Sequence, residues 1–225
     1  MHRDASGKTL ADYPRPSVAV DTAVLTVGPN RTLDVLLVRR SGSHRRNAWG
    51  LPGTFLHERE TLADAVVRSL EQKVGLRGTT APRQLHVFDD PGRDDRGWVL
   101  SVAHVVVLPW ADVASVVDAR PDDVWLRPVA EATGLPFDHD AIVEMAVEVV
   151  RTAHREHPDP EGLLREPFTL RELRHLHEAV AGRRLGPDSF RRHMLPHLAE
   201  TGRTAEGVVG RLAALFVKDD GRPSG

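Results

Sequence analysis

The sequence predicts an α/β sandwich followed by a smaller C-terminal unit of two helices and a strand hairpin. Three observations carry this expectation. Runs at 17–27, 33–40 and 98–108 are rich in valine and read as strands. Stretches at 61–74 and about 139–155 lack Gly and Pro and repeat apolar residues at helical spacing, so they read as helices on that sheet. The segment HPDPEG at 157–162 then breaks the pattern with two prolines and a glycine. The predicted organisation is an N-terminal domain over 1–156, a linker over 157–162 and a C-terminal domain over 163–225.

Composition bounds the function classes. The 225 residues suffice for one large or two modest domains, and 40% hydrophobic with 28% charged residues is ordinary for a globular protein. No apolar run reaches the length of a membrane span, and the first 17 residues lack the apolar core of a signal peptide. No membrane partner is expected. There is no cysteine, which excludes disulfides and thiolate metal sites, and a cytoplasmic location is the default expectation. The 12 histidines show no zinc-site spacing. His175/His177 and His193/His197 fall on helical stretches; the second is an i, i+4 pair without a partnering Glu motif, so a solvated or DNA-facing role is expected there and no metal is predicted. The net charge of −2 hides an asymmetry: residues 165–218 hold ten Lys/Arg against six Asp/Glu. A positive block on an otherwise acidic chain suggests a phosphate-rich partner for that block.

Each element follows from local pattern. SVAVDTAVLTV (17–27) alternates as a strand should, and LDVLLVRR (33–40) reads as a buried strand ending in two arginines. The turn Gly28-Pro29-Asn30 between them suggests a hairpin. Residues 41–60, with Gly42, Gly50, Pro52 and Gly53, are expected to be loop. The helix at 61–74 places Leu62, Ala65, Val66, Leu70 and Val74 on its apolar side, and Glu60 and Thr61 suit its N-terminus. Strands are expected at 83–89, 98–108 and 123–126. The helix at about 139–155 is expected to bury Ile142, Met145, Ala146 and Val149. In the C-terminal unit, Thr169 with Glu172 forms a capping box for a helix over 169–181, whose stripe is Leu170, Leu173, Leu176 and Val180. Gly182 and Gly186 bracket a turn holding Arg183 and Arg184. A second helix starts at Pro187 or Asp188, with Phe190, Met194 and Leu198 on its buried face and Pro196 as an expected kink. The tail 201–219 reads as two strands around a glycine-rich turn.

Residues 51–76, LPGTFLHERETLADAVVRSLEQKVGL, carry the most specific pattern. The segment resembles the Nudix box, G-x5-E-x7-R-E-U-x-E-E-x-G-U with U apolar. Glu60, Arg68, Leu70, Gly75 and Leu76 match, while Thr54 stands at the opening glycine and Gly53 precedes it. The three carboxylate positions of the helix hold Ser69, Gln72 and Lys73, which at i, i+3 and i+4 share one face. In active members of that family this face carries carboxylates that hold a divalent cation. Hard cations need oxygen ligands, and here the face offers a hydroxyl, an amide and an ammonium. The resemblance implies a Nudix α/β/α sandwich without hydrolase activity, framed by Gly53, Glu60, Arg68 and Gly75.

Together with FTLRELRHLHEAV (168–180), GPDSFRRHML (186–195) and FDDPGRDDRGWVLSVAHVVVL (88–108), the degenerate box resembles the Nudix-related transcriptional regulators of NAD metabolism. Those regulators join a Nudix domain to a C-terminal winged helix-turn-helix. The resemblance implies a homodimeric repressor of NAD biosynthesis or salvage genes. It requires no cofactor, a double-stranded DNA operator is its partner, and ADP-ribose or a related nucleotide is its effector. In a helix-turn-helix the second helix enters the major groove with its early residues at the base edges. Ser189, Arg191 and Arg192 occupy those positions. Arg183 and Arg184 in the turn, and Arg203 and Arg211 in the wing, are the expected phosphate contacts.

A diphosphate can be held by arginines and backbone N–H groups without a metal. The candidates are Arg39, Arg45 and Arg46 around the loop to Trp49, then Lys73, and Arg93, Asp94 and Arg96 before the strand at 98. Two other classes stay open at this point. One is an ADP-ribose or nucleoside-diphosphate hydrolase that recruits Glu58, Glu60, Glu71 or Asp94. The other is a metabolite-sensing module that never touches DNA.

Overall fold

A computed structural model describes residues 2–41, 46–78, 82–205 and 213–219. Its N-terminal part is a seven-stranded sheet with helices on both faces. Strands β1 (Ser17–Val27) and β2 (Leu33–Arg39) form the expected antiparallel hairpin, with Val24 opposite Leu36. The residues expected to be loop contain two short strands, β3 (Trp49–Gly50) and β4 (Gly53–Phe55), on either side of Pro52. Proline bars a ladder donor only at its own position, so β3 pairs with β2 and β4 with β1. Helix α1 (Leu62–Lys73) follows, capped by the Thr61 hydroxyl, which accepts the Asp64 N–H. Strands β5 (Arg83–Phe88) and β6 (Val99–Val107) come next, and β6 lies parallel to β1 over nine residue pairs, Ser17–Leu25 against Val99–Val107. Helix α2 (Trp110–Ala119) was not expected from the sequence, and β7 (Val124–Pro128) pairs with β2.

Strand alternation divides the apolar side chains between the two faces. Val20 and Val24 of β1, with Leu36 and Val38 of β2, pack under Ala65, Val66 and Leu70 of α1. Ala23 and Leu25, with Val35 and Leu37, pack under helix α3 (His139–Glu156). Helix α3 buries Ile142, Val143, Ala146, Val147 and Val150. Met145 and Val149, expected on that face, lie at its edge or beyond: Met145 is 36% exposed. The sheet contacts a stripe centred one residue further along than the sequence pattern suggested.

After α3 the chain forms β8 (Phe168–Thr169), α4 (Leu170–Ala181), α5 (Pro187–Met194), β9 (Leu198–Thr204) and β10 (Ala214–Lys218). The capping box of Thr169 and Glu172 is present, and Gly182 closes α4 at φ +67°, a left-handed position that glycine adopts without cost. Helix α5 is shorter than expected. Pro196 lies in a single 3-10 turn, Leu195–His197, and Leu198 opens β9 instead of extending the helix face. The strands order β8-β10-β9 beside the two helices, with Phe168, Leu173, Phe190, Met194 and Phe216 as a small core. This is the helix-turn-helix with a strand hairpin that the sequence predicts.

The segment at 157–162 ends α3 as expected, yet it is firmly packed. Asp159 is 1% exposed and its carboxylate accepts the Leu163 and Leu164 N–H groups, at 2.9 Å each. Helix α4 also crosses the boundary: Leu176 and Val180 belong to the core under α3. Leu176→Ala therefore removes packing shared by both parts. It is expected to cost about 2–5 kcal/mol and to shift one common unfolding transition, read by calorimetry; separate melting of two units would contradict this.

Candidate functional site

A cavity of about 160 Å³ opens where β1, β4, the end of α1 and the loop before β6 meet. Its floor follows from one backbone approach. Asp21 of β1 lies opposite Gly53 of β4. A Cβ at position 53 would sit 2.0 Å from Asp21 Oδ1 and 2.7 Å from the Val20 carbonyl, so only glycine fits there. Asp21 Oδ2 accepts the Ser101 hydroxyl at 2.6 Å, and Oδ1 lies 3.4 Å from His139 Nε2. The Leu51 N–H donates to His139 Nδ1 at 3.0 Å, which places the ring proton on Nε2, facing the carboxylate. Burial pushes the Asp21 carboxyl up, but His139, Ser101 and Arg93 bring it down to about 2.

Cations gather around this carboxylate. The Arg93 side chain is 3% exposed; its Nε donates to Asp138 Oδ2 at 2.6 Å and its Nη2 lies 4.0 Å from Asp21 Oδ2. Asp138 stands at the N-cap of α3 but caps nothing with its side chain, which serves Arg93 instead. Asp94 holds Arg96 through both carboxylate oxygens, at 2.9 and 2.6 Å, and that pairing lowers the Asp94 carboxyl to about 2. The Arg96 guanidinium lies 5.5 Å from the ring centres of Phe55 and Phe137, and that of Arg40 lies 5.0 Å from Phe137. Phe137 reaches this position with φ +58°, a strained backbone conformation for a non-glycine residue.

The altered helix face meets the same cavity. The Lys73 ammonium donates to the Gly53 carbonyl and lines the cavity with Asp21, Arg40 and Arg93. Desolvation lowers its pKa, the neighbouring Arg40 and Arg68 guanidinium groups lower it further, and Asp21 opposes them. Lys73 is exposed as a whole residue, so the desolvated part is its ammonium end. Ser69 is 1% exposed with no partner for its hydroxyl among the described residues, and Gln72 is exposed, so this face presents no carboxylate.

The frame residues hold the loop to the helix. Arg68 grips Glu60 at 2.6 and 2.8 Å and donates to the Phe55 carbonyl at 2.9 Å, while Glu60 accepts the His57 N–H. The Arg68 guanidinium, then the His57 N–H, hold the Glu60 carboxyl at about 2 against an ordinary 4.5. A depressed carboxyl stabilises the fold above its unfolded value, and that stability is lost as pH falls through the folded value. Wild type should therefore lose more stability than Glu60→Gln as pH drops from 4.5 to about 2. Urea unfolding across that window measures the difference; equal slopes would remove the pair from the acid response. Gly75 sits at φ +93° as the chain leaves α1.

The cavity thus unites Lys73, Arg93, Asp94 and Arg96 of the expected ligand set, with Gly53 of the frame. Arg39 and Trp49 lie outside it. Neighbouring strand residues face opposite ways, so Arg40 lines the cavity and Arg39 does not; Trp49 packs on Trp125 at 5.4 Å between ring centres. Arg46 is exposed away from the cavity, and Arg45 is outside the described residues. Sequence reasoning missed Asp21, Arg40, Phe55, Phe137 and His139. Only Asp21 left a signal, as an acid inside an apolar strand.

On the C-terminal part, Gly186 precedes α5 and Pro187 occupies its first turn. Phe190 and Met194 are buried; Arg191 and Arg192, expected early in this helix, stand instead in its last turn, because α5 ends at Met194, and their side chains are exposed and make no hydrogen bond or ion pair with a described residue. Ser189 turns the other way, with His193 one turn on; both line a groove against α3. Arg183 and Arg184 border a second hollow beside Arg31 and Thr32 of the β1–β2 turn. His177 is 5% exposed. Arg203 is exposed on β9 after Gly202, whose φ of +70° accompanies an irregularity in the β9–β10 register. Arg211 lies outside the described residues.

Known proteins share this arrangement. The NUDIX domain family model matches residues 16–145, and the model of the NrtR DNA-binding winged helix domain matches residues 161–217. The ADPR responsive transcriptional repressor NtrR of Acinetobacter baylyi is 28% identical over 188 residues, which are 82% of this chain and 74% of that protein. The crystal structure of Shewanella oneidensis NrtR complexed with a 27mer DNA is 32% identical, with TM-score 0.75, over 89% of this chain and 93% of that one. The NUDIX domain of the same Shewanella protein, in cocrystals with ADP ribose, is 29% identical with TM-score 0.54, over 64% of this chain and 95% of that one. No helix among the described residues is long and apolar enough to cross a membrane. The chain belongs to the NUDIX family and, within it, to the NrtR-type proteins, in which a NUDIX domain carries an NrtR DNA-binding winged helix domain.

Proposed function

We infer that this protein is a transcriptional repressor of NAD biosynthesis or salvage genes whose DNA affinity is set by ADP-ribose or a related nucleotide. Residues 1–156 sense the nucleotide, 163–225 read DNA, and 157–162 join them. The observation that carries the reading is the exposed pair Arg191 and Arg192, free of protein partners among the described residues, on the helix after the turn. Arginine reads guanine through two parallel hydrogen bonds. Two such helices in a homodimer fit a palindromic operator.

The effector is assigned to the cavity around Asp21. Lys73, Arg40 and Arg96 supply charge for a diphosphate, and Phe55 and Phe137 supply aromatic surface. The Lys73 ammonium stands on the face where hydrolases hold carboxylates for a metal, so binding proceeds without a cation and hydrolysis is lost. A ligand shifts two conformations only through its different affinity for them. The packed joint at Asp159 and the core shared through Leu176 provide a rigid route between the sites.

The test is titration of labelled DNA from upstream of NAD-synthesis genes, at stated salt, with and without ADP-ribose. Specific binding that ADP-ribose alters supports the reading, and absence of specific binding removes it. In a companion measurement, ADP-ribose affinity should be indifferent to chelators, and Lys73→Glu should weaken it at least about tenfold, the scale of one lost charge-assisted hydrogen bond. Metal-dependent ADP-ribose hydrolysis by the unmodified chain would instead favour the hydrolase.

A further inference from the structure

We propose that the NUDIX domain itself touches DNA: Arg31 of its β1–β2 turn joins Arg183 and Arg184 of the helix-turn-helix in holding the phosphate backbone beside the bases read by α5. This rests on the reading that the C-terminal part binds DNA, and adds to it a contact from the other domain. The β1–β2 turn and the α4–α5 turn enclose a hollow of about 450 Å³. Four arginines line it: Arg31, Arg183 and Arg184 from the two turns, and Arg151 from α3. Arg151 donates through Nε to the Val180 carbonyl at 3.0 Å, so its charge offsets the negative end of α4. The other three are exposed, and their side chains make no hydrogen bond or ion pair with a described residue. Glu178 is the one acid among the lining residues. It is already engaged, since its Oε1 accepts Arg174 Nη1 at 2.9 Å and the Leu185 N–H at 3.0 Å. A hollow lined by charge of one sign focuses the field and attracts the opposite sign.

The decisive feature is the backbone of Arg31. Its N–H closes the turn on the Gly28 carbonyl at 2.9 Å, and its φ is +57°. Glycine takes that left-handed conformation readily, whereas a long side chain is strained in it. Arginine there adds no polar side-chain contact to the described fold. Strain of this kind, held at a residue with an exposed charge, points to function. The guanidinium charge reaches into the hollow: burial lowers the pKa of His175 on α4, and Arg31 lowers it further. The surface is continuous with the helix assigned to DNA. Arg183 also lines the groove shared with Ser189 and His193 of α5, and the turn leads directly into that helix. Backbone phosphates flank the bases that such a helix reads, and arginines on them set register. Three arginines on two separate turns fit a run of phosphates. The strand β1, which carries Asp21 of the nucleotide cavity, runs to this turn, so one strand spans both sites.

The test uses the full-length chain, an operator duplex and fluorescence anisotropy over a range of salt. Arg31→Gly should lower operator affinity about eightfold per subunit at about 0.1 M salt, and make the salt slope shallower by about 0.9 per subunit, the loss of one phosphate contact. Its melting temperature should not fall, because glycine relieves the left-handed strain. Arg31→Lys keeps the charge and should keep most of the affinity and the slope. Ethylation interference should lose, in Arg31→Gly, a phosphate position that the wild type shows. Wild-type affinity and slope in Arg31→Gly, beside lost binding in the Arg191→Ala, Arg192→Ala double variant, would overturn the proposal and leave the repressor reading intact. A loss in Arg31→Gly that Arg31→Lys does not recover would make the role structural and overturn it too. A wild-type chain that binds no operator would overturn both.

Discussion

Replacing Arg191 and Arg192 together by alanine is expected to weaken operator binding by at least about thirtyfold, since each bidentate arginine–guanine contact contributes roughly 1–3 kcal/mol. Both side chains are exposed and make no hydrogen bond or ion pair with a described residue, so shortening them breaks no polar contact of the fold. Circular dichroism and the affinity for ADP-ribose should stay at wild-type values. Electrophoretic mobility or fluorescence anisotropy, repeated at several salt concentrations, separates two roles. Loss of discrimination between operator and random DNA identifies base contacts. A uniform loss with a shallower salt slope, by about 0.9 for each phosphate released, identifies backbone contacts. Unchanged binding would move the DNA-reading role off α5.

Gly53→Ala should be the most damaging single change at the nucleotide cavity. The added methyl meets Asp21 Oδ1 at 2.0 Å and the Val20 carbonyl at 2.7 Å. The carboxylate can swing, but the carbonyl belongs to the β1 backbone and cannot move without disturbing the β1–β4 pairing. Overpacking of this kind costs about 1–3 kcal/mol. Displacing Asp21 also breaks its bond with Ser101 and its approach to His139, and it shifts the Gly53 carbonyl that Lys73 holds. ADP-ribose affinity should fall by about a hundredfold or more, in line with the sensitivity of a site to displacements near 1 Å. The DNA affinity measured without nucleotide should be retained. Calorimetric titration of Gly53→Ala against wild type gives the answer, and near-normal binding would show that the cavity is not the effector site.

The order of elements was legible in the sequence because its signals are local. Alternating valines in 17–27, the capping box at Thr169 and Glu172, and the glycines around Arg183 and Arg184 each act within a few residues. The box at 51–76 was legible for the same reason, since Glu60 and Arg68 meet across one loop and two turns of helix. Where local cues compete, legibility fell. Pro52 suggests loop although β3 and β4 pair on either side of it, and helical spacing carries α5 past Pro196 into what is strand. Helical spacing alone puts Met145 inside, because it does not say which neighbouring stripe the sheet will cover.

The sites divide in the same way. The sequence by itself determined that α1 lacks the carboxylates at 69, 72 and 73, that Arg93, Asp94 and Arg96 lie close together, and that two adjacent arginines lie on the second helix of a helix-turn-helix. Only the tertiary structure decided that Asp21 of β1, Phe137 and Asp138 before α3, and Lys73 at the end of α1 converge on one cavity. It also decided that His154 and His177 meet under α5. Asp21 and Asp138, for example, are 117 positions apart in the chain. What brings them together is the parallel pairing of β1 with β6 and the packing of α3 across both, and that long-range geometry leaves no periodic trace in the sequence.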